Sequence, residues 1–262
     1  VNLNTATTKP TYRIALVDGW QTLREDIDDD GVKDVSHGEL ARKFLADNDR
    51  AHYEVIPCDM EKREVSIIFN ELAGDKTIDA VHVNFTFGRD NYEDTRRLLS
   101  EKYPERDFSG LNSQTLSQYK EEILGLMADK EERPAFEKLI KSGKKIFVSA
   151  GNKANDFNSY ALFDDVITIG ADKKYNGYAD YKEIDERTKV RFNVYTKYDS
   201  DYNIAGYDVN EDGKIDFLPS ELSGGESRGF MVIEGTSLGG PKWVSEHLPD
   251  ILPKKPPVQQ TK

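Results

Sequence analysis

"RPAFEKLIKSGKKIFVSAGN", residues 133–152, changes its period halfway along. Through 133–143 the apolar residues recur at helical spacing, and the run closes on Gly143, a residue suited to ending a helix. From Lys145 to Ala150 the sequence "KIFVSA" is a short apolar run that reads as a strand, and it breaks at Gly151 and Asn152. A helix that feeds a short buried strand, which then ends in a small-residue loop, is one step of an α/β alternation.

The same rhythm extends in both directions. Further strands are expected at 12–17 ("YRIALV"), 52–57 ("HYEVIP"), 79–87 ("DAVHVNFTF"), 165–171 ("DVITIGA") and 228–234 ("RGFMVIE"). Helices are expected at 38–47, 64–74 and 113–129, in addition to 133–143. Alternation of this kind predicts an α/β fold: a three-layer sandwich with a mostly parallel central sheet and helices on both faces. In such sheets, reactive residues collect at the carboxyl ends of the strands. Residues 173–227, rich in Tyr, Asp and Asn, break the rhythm and read as loops and antiparallel strands. The polar or Pro-rich ends read as tails (1–11 and 251–262) around one domain at 12–250, and no internal repeat is visible.

Composition narrows the function classes. With 36 basic against 48 acidic residues the net charge is −12, which argues against nucleic acid or an anionic membrane as the main partner. No stretch approaches the roughly 18 apolar residues of a membrane span. Cys58 is the one cysteine, so no intrachain disulfide is possible, and its place at the end of an apolar run reads as an inert thiol. The chain starts at Val1 with no charged-then-apolar leader, which reads as a removed targeting segment or an excised domain. A secreted, cell-surface or periplasmic setting is the expectation, with a propeptide or additional domain outside this chain as a possible partner.

Four residues could carry chemistry together. Ser237 lies in "VIEGTSLGGPKW" (232–243), between a strand-like run and a proline able to sit near a helix start. Of the four histidines, His52 and His82 lie inside strand-like runs, and His247 lies in a short polar helix end before Pro249. His37, in "DVSHGEL", stands instead at the entrance to a helix, where a loop can present it to a cleft. Asp18 ends the strand "RIALVD", and an acid there is costly to bury without partners. Asn152, after "FVSAG", offers a side-chain amide at another strand end. Singly, Asp18 and Asn152 read as turn residues, His37 as a helix cap and Ser237 as a helix N-cap. Together they stand in the order Asp–His–Asn–Ser, one of the few chain orders known for triad chemistry.

On these motifs the sequence resembles the subtilases, the subtilisin-like serine peptidases. "ALVDG" is similar to the segment that holds the family's catalytic Asp, "SHGELA" to its His-Gly motif, "SAGN" to its oxyanion motif and "GTSLGGP" to its nucleophile motif. The resemblance spans roughly residues 12–245. It implies a serine endopeptidase acting on polypeptide substrates, with Ser237 as nucleophile, His37 as base, Asp18 orienting the imidazole and Asn152 binding the oxyanion. It also implies that Thr86, Phe87 and Gly88 pair with an extended substrate, and that Gly151 and Lys153 flank the first specificity pocket. The sequence departs from the family at Gly19, which follows Asp18 where Thr or Ser is usual, and at Leu40, where a second histidine is usual. Gly239 and Gly240 stand where alanine or another small residue is preferred. The expected helix after Ser237 carries Lys242 and Glu246 and stops at Pro249, so the core behind it must be rebuilt within the chain or completed by something outside it.

Two acidic loops follow the first half of an EF-hand pattern: Asp26, Asp28, Asp30 and Asp34, and Asp208, Asn210, Asp212 and Asp216. Each has glycine at the sharp turn and lacks the closing Glu, so one or two Ca2+ sites or merely solvated turns fit equally. Two other readings stand beside the peptidase. One is a catalytically impaired, calcium-stabilised binding domain of the same shape. The other is an ester hydrolase with a G-x-S-x-G elbow, which the chain order disfavours because only His247 follows Ser237.

Overall fold

The computed structural model describes residues 9–20, 36–45, 48–85, 91–112, 115–128, 131–151, 157–169, 191–198, 204–208, 214–215, 230–234 and 236–253. Five parallel strands form the main sheet: β1 (Thr11–Asp18), β2 (His52–Asp59), β3 (Ala80–Val83), β4 (Lys145–Ser149) and β5 (Val166–Ile169), in the order β2-β1-β3-β4-β5. The helices are α1 (His37–Phe44), α2 (Val65–Gly74), α3 (Tyr92–Lys102), α4 (Lys120–Ala128), α5 (Glu132–Lys141) and α6 (Thr236–Ile251).

Side chains alternate across the sheet, as the period of two requires. Ala15 and Val17 of β1 join Val81, Val83, Ile146 and Val148 on one face, under Phe69 of α2, Leu99 of α3, Leu124 of α4 and Phe136 of α5. Tyr12, Ile14 and Leu16 join Phe147 and Ile169 on the other, under Phe44 of α1 and Leu238, Val244 and Leu248 of α6. The expected three-layer α/β sandwich is therefore the observed one. The strands between the two helix layers are apolar on both sides, which explains their near-continuous hydrophobic runs. β2, at the edge, pairs on one side only and tolerates Pro57 opposite Leu16.

Strand order reverses between β1 and β3, and the next described helices, α1 and α3, pack on opposite faces of the sheet, which marks the carboxyl ends of these two strands as the place where a site is expected. Register sets what stands there. Val17 is opposite Val83, and Val83 opposite Val148, so the next residues, Asp18, Asn84 and Ser149, lie side by side in one row.

Three expectations are corrected. The run at 228–234 is a strand, β8 (Phe230–Glu234), but it pairs antiparallel with β6 (Arg191–Tyr198), which also pairs with β7 (Ile204–Asp208), in a separate three-stranded sheet. An apolar run marks a strand but does not say which strand it joins. Tyr92–Lys102, with no helix expected, form α3, capped by the Asn91 side chain accepting from the Asp94 N–H at 2.8 Å.

The third correction concerns the helix behind Ser237. It does not stop at Pro249 but runs 16 residues, from Thr236 to Ile251, with Pro241 and Pro249 inside it. Pro249 has no N–H to return to the Ser245 carbonyl, four residues back. That carbonyl instead accepts from Asn48 Nδ2 at 2.6 Å and from the Tyr53 hydroxyl. Arg50 adds bonds to the Glu246 carbonyl and the Asp250 carboxylate. The partners that rescue the proline come from the turn before β2 and from β2 itself. Val244 and Leu248 are wholly buried, so the chain completes the packing behind Ser237 on its own.

Candidate active site

Asp18 ends β1 with 3 % of its surface exposed, and a buried carboxylate needs donors. It has them on both oxygens. The Gly19 N–H donates to Oδ1 at 2.7 Å, and Asn84 Nδ2 donates to Oδ2 at 2.7 Å. His37 Nδ1 lies 2.8 Å from Oδ1 and 3.0 Å from Oδ2. A carboxylate only accepts, so Nδ1 carries the proton and Nε2 presents its lone pair. That lone pair faces Ser237 Oγ at 3.0 Å, across 200 residues of sequence.

Local sequence explains how His37 is aimed. It is not a cap; it is the first residue of α1, and Ser36 is the cap. The Ser36 hydroxyl accepts from the Glu39 N–H at 3.3 Å, and Glu39 Oε2 accepts from the Ser36 N–H at 3.0 Å, a reciprocal capping box. The "SHGE" spelling carried that signal. Gly38 then seats the helix against the chain that follows Asp18. Its N–H donates to the Gly19 carbonyl at 2.8 Å, and an added Cβ would meet the Trp20 ring at 2.7 Å.

Ser237 is the second residue of α6, near the positive end of the helix dipole, a place that favours developing negative charge. Pro241 falls in the second turn rather than the first. Gly240 has a positive reason to be small: a Cβ there would stand 2.7 Å from His82 Cε1 and 3.1 Å from Ser149 Oγ. The helix thus lies directly on the ends of β3 and β4.

The electrostatics follow from these contacts. Burial pulls the His37 pKa down, but the hydrogen bond and charge of Asp18, with the charge of Glu61, outweigh it, and the net value lies above the ordinary 6.5. His82, wholly buried, is pushed down to about 4 by burial and stays neutral. The folded protein therefore binds no proton at His82 between about pH 6.5 and 4, whereas the unfolded chain does. Stability falls as the pH drops through that window, by about 3 kcal/mol from this residue. Urea unfolding at pH 4.5 and 7 checks it: the loss for the wild type should exceed that for His82→Gln by about 2 kcal/mol, the greater part of this amount. Cys58 is half-buried, its thiol pushed up to about 11 by burial, which fits an inert side chain.

Asp18, His37 and Ser237 are thus brought together. Gly151 is buried just beyond β4, with φ at +113°. Thr86, Phe87, Gly88, Asn152, Lys153, Asp26, Asp28, Asp30, Asp34, Asn210, Asp212 and Asp216 lie outside the described residues. Of Asp208 the backbone alone is described, ending β7. Among the described residues no cluster of His, Cys, Asp and Glu could hold a metal, and no helix is long and apolar enough to cross a membrane. His52 is exposed at the start of β2, while His247 stacks on Trp243 and lies 2.9 Å from that residue's carbonyl, so it is half-buried rather than solvated. Sequence reasoning missed Asn84, Ser149 and Asn158. Asn158 Nδ2 donates to the Ser149 and Phe85 carbonyls at 2.7 and 3.0 Å, tying the carboxyl ends of β3 and β4 together.

No family model matches the chain, and no curated protein matches it. Among solved structures it is similar to Pseudomonas sedolisin, a serine-carboxyl proteinase, complexed with two molecules of pseudo-iodotyrostatin. The identity is 13 % and the TM-score 0.40, over 94 % of this chain and 78 % of that one. A likeness at that level says nothing about chemistry.

Proposed function

We propose that the protein is a serine endopeptidase with a subtilisin-like catalytic arrangement. The observation that carries this reading is the continuous hydrogen-bonded line from the buried Asp18 carboxylate through His37 to Ser237 Oγ, with steps of 2.8 and 3.0 Å. A serine is a poor nucleophile alone, and a neutral imidazole facing its hydroxyl is the base that activates it.

In this reading Ser237 Oγ attacks the peptide carbonyl while His37 Nε2 takes its proton. The same proton passes to the leaving amine, which departs and leaves an acyl-enzyme for water to hydrolyse by the same route. Asp18 keeps the proton on Nδ1 and stabilises the transient imidazolium. Asn152 and the Ser237 backbone N–H serve as oxyanion donors. Thr86, Phe87 and Gly88 bind the substrate as an added strand, and Gly151 and Lys153 border the first specificity pocket, with Lys153 favouring an acidic side chain.

A fluorophosphonate probe tests the nucleophile. It should label Ser237 in the folded wild type and fail to label Ser237→Ala or the urea-unfolded chain. No adduct in folded protein would leave a binding domain without activity. Calcium in the two acidic loops belongs to the same proposal: EDTA should lower both melting temperature and activity, and Ca2+ should restore them. Identical melting curves with and without chelator would remove calcium from the account.

A further inference from the structure

Asn84 leaves β3 in the same sheet row as Asp18, and its amide is committed at both ends. Its Oδ1 accepts from Ser149 Oγ at 2.7 Å and faces His82 Nε2 at 3.3 Å. With both donors on the carbonyl end, the NH2 end can point only the other way, and it lies 2.7 Å from Asp18 Oδ2. Among the described residues His82 Nδ1 has no hydrogen-bond partner, so the neutral form with the proton on Nε2 suits this place. Gly240 of the nucleophile helix closes over the His82 ring and the Ser149 hydroxyl.

We propose that Asn84, locked by Ser149 and His82, is a positioning residue that sets the plane of the Asp18 carboxylate and through it the aim of His37. The inference rests on the peptidase reading for its consequence in catalysis, though not for its geometry. Gly19 holds one carboxylate oxygen and Asn84 the other, so the imidazole meets a carboxylate that cannot rotate. Removing Asn84 leaves the Gly19 N–H as the one remaining described clamp. It also concentrates on His37 the charge that the amide shares. The charges facing His37 are those of Asp18 and Glu61; Asn84 faces Asp18 and the neutral His82.

The test uses the full chain as wild type, Asn84→Ala and Ser149→Ala. Peptide hydrolysis is measured against pH, and the His37 Hε1 proton is titrated by NMR, assigned by its loss in His37→Asn. Asn84→Ala should lower kcat by about 10- to 100-fold, the equivalent of one hydrogen bond to a charged group, with KM little changed. The pKa of His37 should rise, and the acid limb of kcat/KM should move to higher pH with it. Ser149→Ala, which leaves the Asn84 carbonyl held by His82 alone, should shift both in the same direction by less, and it carries the test if Asn84→Ala does not fold. A fall in kcat with an unmoved His37 pKa would assign Asn84 to the fold alone and overturn the proposal, as would wild-type behaviour in both readouts. A wild type without hydrolysis, but with a His37 pKa that still moves in Asn84→Ala, sinks the peptidase reading and leaves the positioning role standing.

Discussion

Replacing Ser237 by alanine is expected to lower kcat on a peptide substrate by a factor on the order of 10⁶, with the melting temperature unchanged. The two halves of that expectation have separate causes. The Ser237 hydroxyl lies 3.0 Å from His37 Nε2, and the residue is only partly buried. Removing it leaves a half-exposed imidazole nitrogen that water can satisfy, so the stability change should stay within about 0.5 kcal/mol. Catalysis has no such substitute. Without Oγ no acyl-enzyme forms, and what survives comes from oxyanion stabilisation and substrate binding alone. KM should therefore change little, and adding His37→Ala should cost almost nothing more, because the two groups act as one unit. Hydrolysis of a chromogenic peptide and a thermal melt on the same preparation decide the matter. A variant that loses activity and stability together would point to a structural serine.

Asp18→Asn is expected to cost about 10⁴-fold in kcat. The Gly19 N–H, Asn84 Nδ2 and His37 Nδ1 all converge on the two carboxylate oxygens. An amide there offers one acceptor and one donor group, so at least one of these donors faces another donor. His37 can escape by carrying its proton on Nε2, which is the nitrogen that must accept from Ser237. The pH profile should change as well. Asp18 is the main reason that the His37 pKa lies above 6.5. In the wild type the neutral base forms as the pH rises through that raised value, so the acid limb of kcat/KM is expected above 6.5. In Asp18→Asn burial remains and the main opposing charge is gone, so the limb moves to lower pH while the plateau drops. An unchanged limb would mean that the acid does not act through His37.

The parts that sequence made legible are those governed by local pattern. The stretch opening at Arg133 shows this best: α5 and β4 lie within a few residues of expectation, and Gly143 ends the helix at φ +81°. Asp18, His37 and Ser237 were readable because each sits at a strand end or helix start, and their order restricts the chemistry. What stayed hidden depends on partners distant in sequence. Asn84 and Ser149 gain their meaning from the register of β3 with β1 and β4, which no periodicity in either strand announces. Pro249 was read as a helix stop because a proline leaves a carbonyl unsatisfied. Nothing local says that Asn48 and Tyr53 supply the missing donors. The weakly amphipathic α3 was lost for a simpler reason: its polar turns obscure the three residues it buries.

Those bonds to the Ser245 carbonyl also have a kinetic meaning. The contacts that dock α6, Asn48 to Ser245, Arg50 to Asp250 and His37 to Ser237, each span 197 to 200 residues. Closing a loop of that length is entropically unfavourable until the contacts at its ends can form, so such contacts slow folding and come late. A nascent chain can form β1 and carry Asp18 and His37 long before Ser237 exists. Ser237 arrives only with the helix that packs on the sheet, so on the peptidase reading proposed above the chemistry would begin only when the fold is finished, and a partly made chain would have no means to cut its neighbours.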